Sequence, residues 1–211
     1  MSAGAIRKRP GMYIGDTADG SGLNNMICEV IINSVNEART GHCDRIDVLL
    51  NADGSATVRD NGRGIPFELH PETGIPAAEM ILTQLILGGV FGYDDSQRSR
   101  APGVGLVVVN ALSEALCLNV WRNEFEHTMR FHAGVPEMPS TAVKQIAVKG
   151  GKPKRGTEIT FLPDPTIFAG TAFDLSAIER RLREFSEQNS GVIIALADRR
   201  MGRETDVVLR V

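Results

Sequence analysis

Glycine in this chain gathers at junctions: Gly62 and Gly64, Gly88 and Gly89, Gly103 and Gly105, and Gly156 each stand beside polar residues between apolar runs. Glycine so placed supplies backbone angles closed to other residues, or lets a ligand approach the main chain closely. These junctions are therefore where a ligand is expected.

Between the glycines the pattern alternates between helix and strand. Leu23, Met26, Ile27, Val30, Ile31, Val35 and Ala38 recur at helical spacing over 22–40 and stop before Gly41. Ile46, Val48 and Leu50 alternate as a strand over 45–50, and the turn at 51–54 reverses the chain into a second strand over 55–60. A helix is expected over 77–87. Leu106 to Leu116 is apolar enough for either state, and its length favours helix. Strands follow at 117–122, 126–132, 142–148 and 156–162, then an amphipathic helix at 174–188 and a hairpin from 191–197 and 205–211. No repeat or linker divides the chain. The expectation is a single α/β domain over 1–211, with a mixed, largely antiparallel sheet and helices on one face.

Composition narrows the function. With 211 residues, 42% hydrophobic and 23% charged, the chain is an ordinary domain rather than a disordered tail. No window approaches the roughly 18 apolar residues of a membrane span, and residues 1–10 lack a signal-peptide core. A cytoplasmic location is the default. Cys28, Cys43 and Cys117 are too scattered for a disulfide framework and read as small buried residues. His42, His70, His127 and His132 form no zinc motif. A net charge of -3 disfavours direct nucleic-acid binding. The basic runs Arg7 to Arg9, Lys149 to Arg155 and Arg180 to Arg183 read as solvated faces or loops.

Glu29, Asn33, Asn36 and Glu37 fall at i, i+4, i+7 and i+8, along one helix stripe. That stripe is either a solvated face or a site in which a carboxylate takes a proton from water beside an amide oxygen able to ligand magnesium. The segment Asp60-Asn61-Gly62-Arg63-Gly64-Ile65-Pro66 places a carboxylate at a strand end ahead of two glycines flanking an arginine, more than a turn requires.

Taken in order, Glu29 and Asn33, the Asp60 to Gly64 segment, Gly103-Val104-Gly105, and Gly156-Thr157 resemble the four motifs of the GHKL ATPases (gyrase, Hsp90, histidine kinase, MutL). The stretch from Arg7 to Gly15, with Gly41-His42-Cys43, His70-Pro71-Glu72 and Val109 to Ser113, is similar to the B subunits of bacterial type II topoisomerases, DNA gyrase and topoisomerase IV. The resemblance runs from about residue 6 to the end. It implies a two-layer sandwich of Bergerat type that binds ATP with Mg²⁺. By resemblance Glu29 is the general base for the attacking water and Asn33 the Mg²⁺ ligand. Asp60 accepts from the adenine amino group, and Thr157 supports Asp60 and an adenine-bound water. Arg63 lies over the nucleotide, while Gly64, Ile65, Pro66 and Ile81 line its pocket and Arg122 stands at the rim. Gly103, Val104 and Gly105 offer N–H groups to phosphates. The partners implied are a second B subunit, the gyrase A subunit and DNA, with the isolated domain monomeric.

The pattern also departs from that family. Ile32 and Asn36 stand where aspartates are usual, so Arg63 is expected to lose a charge partner. Val90 replaces a usual lysine, and Ser99-Arg100-Ala101-Pro102 replaces a glycine-rich lid, Pro102 bringing no N–H. ATP is then expected to bind while closure and turnover are weak. The length suggests a module excised from a longer subunit, nearly inactive alone. The rival expectation is a stand-alone, gyrase-like nucleotide-binding paralogue with a regulatory role.

Overall fold

Alternating burial along the strands sets the layers of this computed structural model, which describes residues 3–85, 105–137, 154–202 and 205–209, and the backbone alone at 142–145. The strands are β1 (Arg45–Leu50), β2 (Ala56–Asp60), β3 (Ser113–Arg122), β4 (Phe125–His132), β5 (Val135–Pro136), β6 (Ala142–Gln145), β7 (Gly156–Pro163), β8 (Ile193–Asp198) and β9 (Thr205–Leu209). They form one sheet in the order β5-β4-β3-β7-β2-β1-β8-β9, with β6 beside β4. The pair β1 and β8 is parallel, and the other pairs are antiparallel.

The helices are α1 (Ala3–Lys8), α2 (Gly11–Ile14), α3 (Ser21–Arg39), α4 (Ala77–Thr83), α5 (Leu106–Ala111) and α6 (Leu175–Gln188). The core forms where α3, α5 and α6 meet inward residues such as Val48, Val58, Leu118, Ile159 and Leu196. The opposite sheet face carries polar pairs: Thr57 and Thr160 share a hydroxyl hydrogen bond of 2.9 Å, and Asn119 donates to Glu158 at 3.1 Å. A mixed, mainly antiparallel sheet with helices on one face agrees with the expected fold class. In β2 and β7 the inward register carries on to Asp60 and Thr157, placing two polar side chains on the buried face beside apolar neighbours.

Three expectations need correction, and two elements were not anticipated. The helix expected over 77–87 ends at Thr83, and Gln84 is extended at φ -122 and ψ 131. The helix expected over 106–116 ends at Ala111, because pairing with β7 claims the chain from Ser113, where Ser113 faces Pro163. Tertiary pairing overrides a valine-rich run that fits either state. The short helices α1 and α2 are new. Finally, Arg7 is not a solvated charge: its guanidinium donates to the Ala111 carbonyl at 2.9 Å and pairs with Asp164, tying α1 to the end of α5.

The remaining basic residues divide. Lys154 Nζ sits 3.3 Å from the Trp121 ring centroid, whereas Arg181 and Arg183 pair with Glu184 and Glu179 on the exposed face of α6. Cys28 and Cys43 are buried and Cys117 partly so, all as free thiols. Among the described residues no His, Cys, Asp or Glu cluster is arranged to hold a metal, and no helix is long and apolar enough to cross a membrane.

Candidate functional site

Asp60 closes β2 with its side chain turned into the core and only 2% of its surface exposed. A buried carboxylate is costly unless hydrogen-bonded, and among the described residues three donors meet it. Gly62 N–H and Thr157 N–H reach Oδ1 at 2.9 and 3.1 Å, and the Ser34 hydroxyl reaches Oδ2 at 2.9 Å. Burial pushes the Asp60 carboxyl up, opposed by the Gly62, Ser34 and Thr157 donors, with nearby Glu37 adding to the rise. Oδ1 thus carries two backbone donors, whereas Oδ2 carries one and has a lone pair for another.

Glycines hold this arrangement. Gly64 has φ +83, and a Cβ there would lie 2.8 Å from Val120 Cγ1 and 3.1 Å from two carbonyl oxygens. At Gly156, φ +121, a Cβ would stand 2.0 Å from the Asp60 carbonyl oxygen. The second glycine lets β7 lie against the end of β2, which brings Thr157 N–H onto Asp60. The Thr157 hydroxyl accepts from Ile65 N–H at 3.1 Å, so one threonine braces both Asp60 and the loop after it.

Arg63 is held more firmly than the sequence implied. Glu37, two turns along α3 from Glu29, accepts from Arg63 Nη2 at 2.8 Å, Nε at 3.1 Å and backbone N–H at 2.9 Å. This fork-like pairing replaces the charge partner expected to be lost at Asn36. Burial pushes the Glu37 carboxyl up, but the Arg63 hydrogen bonds and charge outweigh this and hold it below its usual value.

The other end of α3 carries Glu29 and Asn33, both half-buried and one turn apart. Glu29 Oε2 accepts the Gly105 N–H at 3.0 Å, so that amide, expected to serve phosphates, is committed here to the carboxylate. Burial raises the Glu29 carboxyl and this hydrogen bond lowers it; the net direction is up. A raised pKa makes a better proton acceptor. At the rim Arg122 donates to the Gly64 carbonyl at 3.0 Å and pairs with Glu68, bracing the loop that carries Ile65 and Pro66. Ile65 is buried, while Pro66 and Ile81 are half-buried. Gly103 and Val104 lie outside the described residues, as do Val90 and Ser99 to Pro102.

The structure therefore gathers Asp60, Arg63, Gly64, Ile65, Thr157 and Arg122 around one loop, with Glu29 and Asn33 on the helix above it. Sequence reasoning missed Ser34. Its signal was a small hydroxyl within the apolar face of α3, on the same stripe as Ile27, Val30 and Ile31. Glu37 was read as part of the stripe, but its pairing with Arg63 was not foreseen.

A family model described as "Histidine kinase-, DNA gyrase B-, and HSP90-like ATPase" matches residues 18–167. Among curated proteins, the DNA gyrase B subunit of Rickettsia bellii is 52% identical over 204 residues, 96% of this chain and 25% of that protein. Those of Caulobacter vibrioides and Borrelia hermsii are 48% and 42% identical, over 93% and 95% of this chain and 25% and 31% of theirs. The chain thus spans about a quarter of the length of the first two relatives. With the motif residues gathered on one loop and one helix, and with most of its length matched, the chain belongs to the histidine kinase-, DNA gyrase B- and HSP90-like ATPase family.

Proposed function

We propose that this domain is the ATP-binding module of a bacterial DNA gyrase B subunit, its base pocket built on Asp60. The observation that carries the reading is the buried Asp60, whose Oδ2 accepts one donor among the described residues and has a lone pair for another. Adenine presents an amino group there, and guanine a carbonyl. Leaving a buried acceptor unpaired costs about 1–3 kcal/mol, so Asp60 contributes both affinity and selectivity.

Thr157 supports Asp60, and Ile65, Pro66 and Ile81 form apolar wall. Arg63, fixed by Glu37, lies over the nucleotide, and Arg122 keeps Gly64 in place. Mg²⁺ suits the residues present, since it takes one or two protein oxygens and completes its shell with phosphates and water. Asn33 supplies such an oxygen, and the ion would neutralise phosphate charge. Glu29 takes the proton of the attacking water. A shift of the Gly105 N–H from Glu29 Oε2 to phosphate would free that amide for the nucleotide. In the whole enzyme the module would act in a dimer of B subunits with the A subunit and DNA, coupling ATP turnover to strand passage.

Calorimetry of ADP and a non-hydrolysable ATP analogue with magnesium, using the native chain, Asp60→Ala and Asp60→Asn, tests the adenine assignment. Binding by the native chain and a loss of at least tenfold in both variants is expected. Equal binding by all three would sink it.

A further inference from the structure

Of the three donors that hold Asp60 among the described residues, two are backbone amides, of Gly62 in the loop after β2 and of Thr157 in β7, and Ser34 is the one side chain. The division of labour is geometric. Gly62 and Thr157 both bind Oδ1, so they fix the carboxylate's position while leaving Oδ2 to Ser34. Ser34 itself is 2% exposed and sits on α3 facing the end of β2. We propose that Ser34 is the positioning residue that sets base selectivity in this site, its hydroxyl holding Asp60 Oδ2 as an acceptor aimed at a purine amino group. This rests on the adenine reading above.

The chemistry has two faces. An ionised Asp60 accepts from an amino group at purine C6 and repels a carbonyl there. A protonated Asp60, its Oδ1 already taken by two N–H groups, carries its proton on Oδ2, so it accepts less well from the amino group and can donate to a carbonyl. Ser34, by donating to the charged form, keeps the site in its amino-selecting state.

The surroundings leave Asp60 as the group whose protonation switches the site. Glu37 on the same helix is locked to Arg63 and stays ionised through the mildly acidic range, its carboxyl held below 4.5. His42 bears electrostatically on Glu37. Cys43, packed before β1, is a neutral thiol, pushed up to about 11 by burial and by Asp60 itself. From β7 the facing group is the uncharged Thr157.

The test is calorimetric titration of ADP and of inosine diphosphate, which carries a carbonyl at C6, into the native chain, Ser34→Ala and Ser34→Thr from pH 5 to 8. Ser34→Ala should weaken ADP about tenfold at pH 6 and move the pH at which the two nucleotides bind equally upward. Ser34→Thr, which keeps the hydroxyl, should follow the native profile. An unchanged ADP-to-inosine ratio and crossover in Ser34→Ala overturns the proposal, as does an equal loss of both nucleotides, which marks a merely structural role. If the native chain binds no ADP at all, the adenine reading itself falls and the proposal with it.

Discussion

Glu37 and Arg63 show how one side chain decides what a departure in its neighbour means. With Glu37 buried and accepting three hydrogen bonds from Arg63, Glu37→Gln should cost about 1–3 kcal/mol at neutral pH. The sign of the pH dependence follows from the direction of the shift. Glu37 is held below its ordinary value of 4.5, so its contribution is complete above that pH and disappears as the pH falls through the lower folded value. Urea melts of native and Glu37→Gln protein should therefore differ at pH 7 and converge in strong acid; a constant gap would contradict the ion-pair account. The place of Asp60, Arg63 and Gly64 was legible in the sequence because a carboxylate and flanking glycines mark where a strand ends and a loop begins. Ser34 was not, since a hydroxyl inside an apolar helix stripe declares its purpose only when the facing strand brings a carboxylate to it.

Among the elements, the crossing of β2 and β7 is the least forgiving. Gly156→Ala would set a Cβ 2.0 Å from the Asp60 carbonyl, with φ at +121, and should destabilise by more than about 4 kcal/mol. Gly11→Ala, in α2 with open space around it, should be neutral or slightly stabilising. Thermal melts of the two variants, followed by the fluorescence of the buried Trp121, separate them; equal melting temperatures would refute the close-approach argument. Element boundaries were readable where polar and apolar residues alternate, as in β1, β2 and β7. They failed at 106–116, where an apolar run without alternation leaves tertiary pairing to choose between helix and strand.

For the whole molecule, α1 is tied on by Arg7, which bridges the end of α5 to Asp164 beyond β7. Arg7→Ala leaves Asp164, 6% exposed, without its cation and should cost about 2–3 kcal/mol, read as a lower urea midpoint. An unchanged midpoint would show that the Arg7 bridge adds nothing to the fold. The fold class was legible because the order of helix, hairpin and glycine junctions leaves few ways to cover one face of a sheet. The surroundings of Glu29 were less so: its pairing with Gly105 depends on where α5 begins, which spacing alone does not locate. The proposed adenine contact of Asp60 carries the central claim. Titration of ADP and GDP, each with magnesium, into the native chain at pH 7.5 tests it most directly. ADP should bind at least tenfold more tightly; equal affinity for the two, or binding of neither, would contradict it.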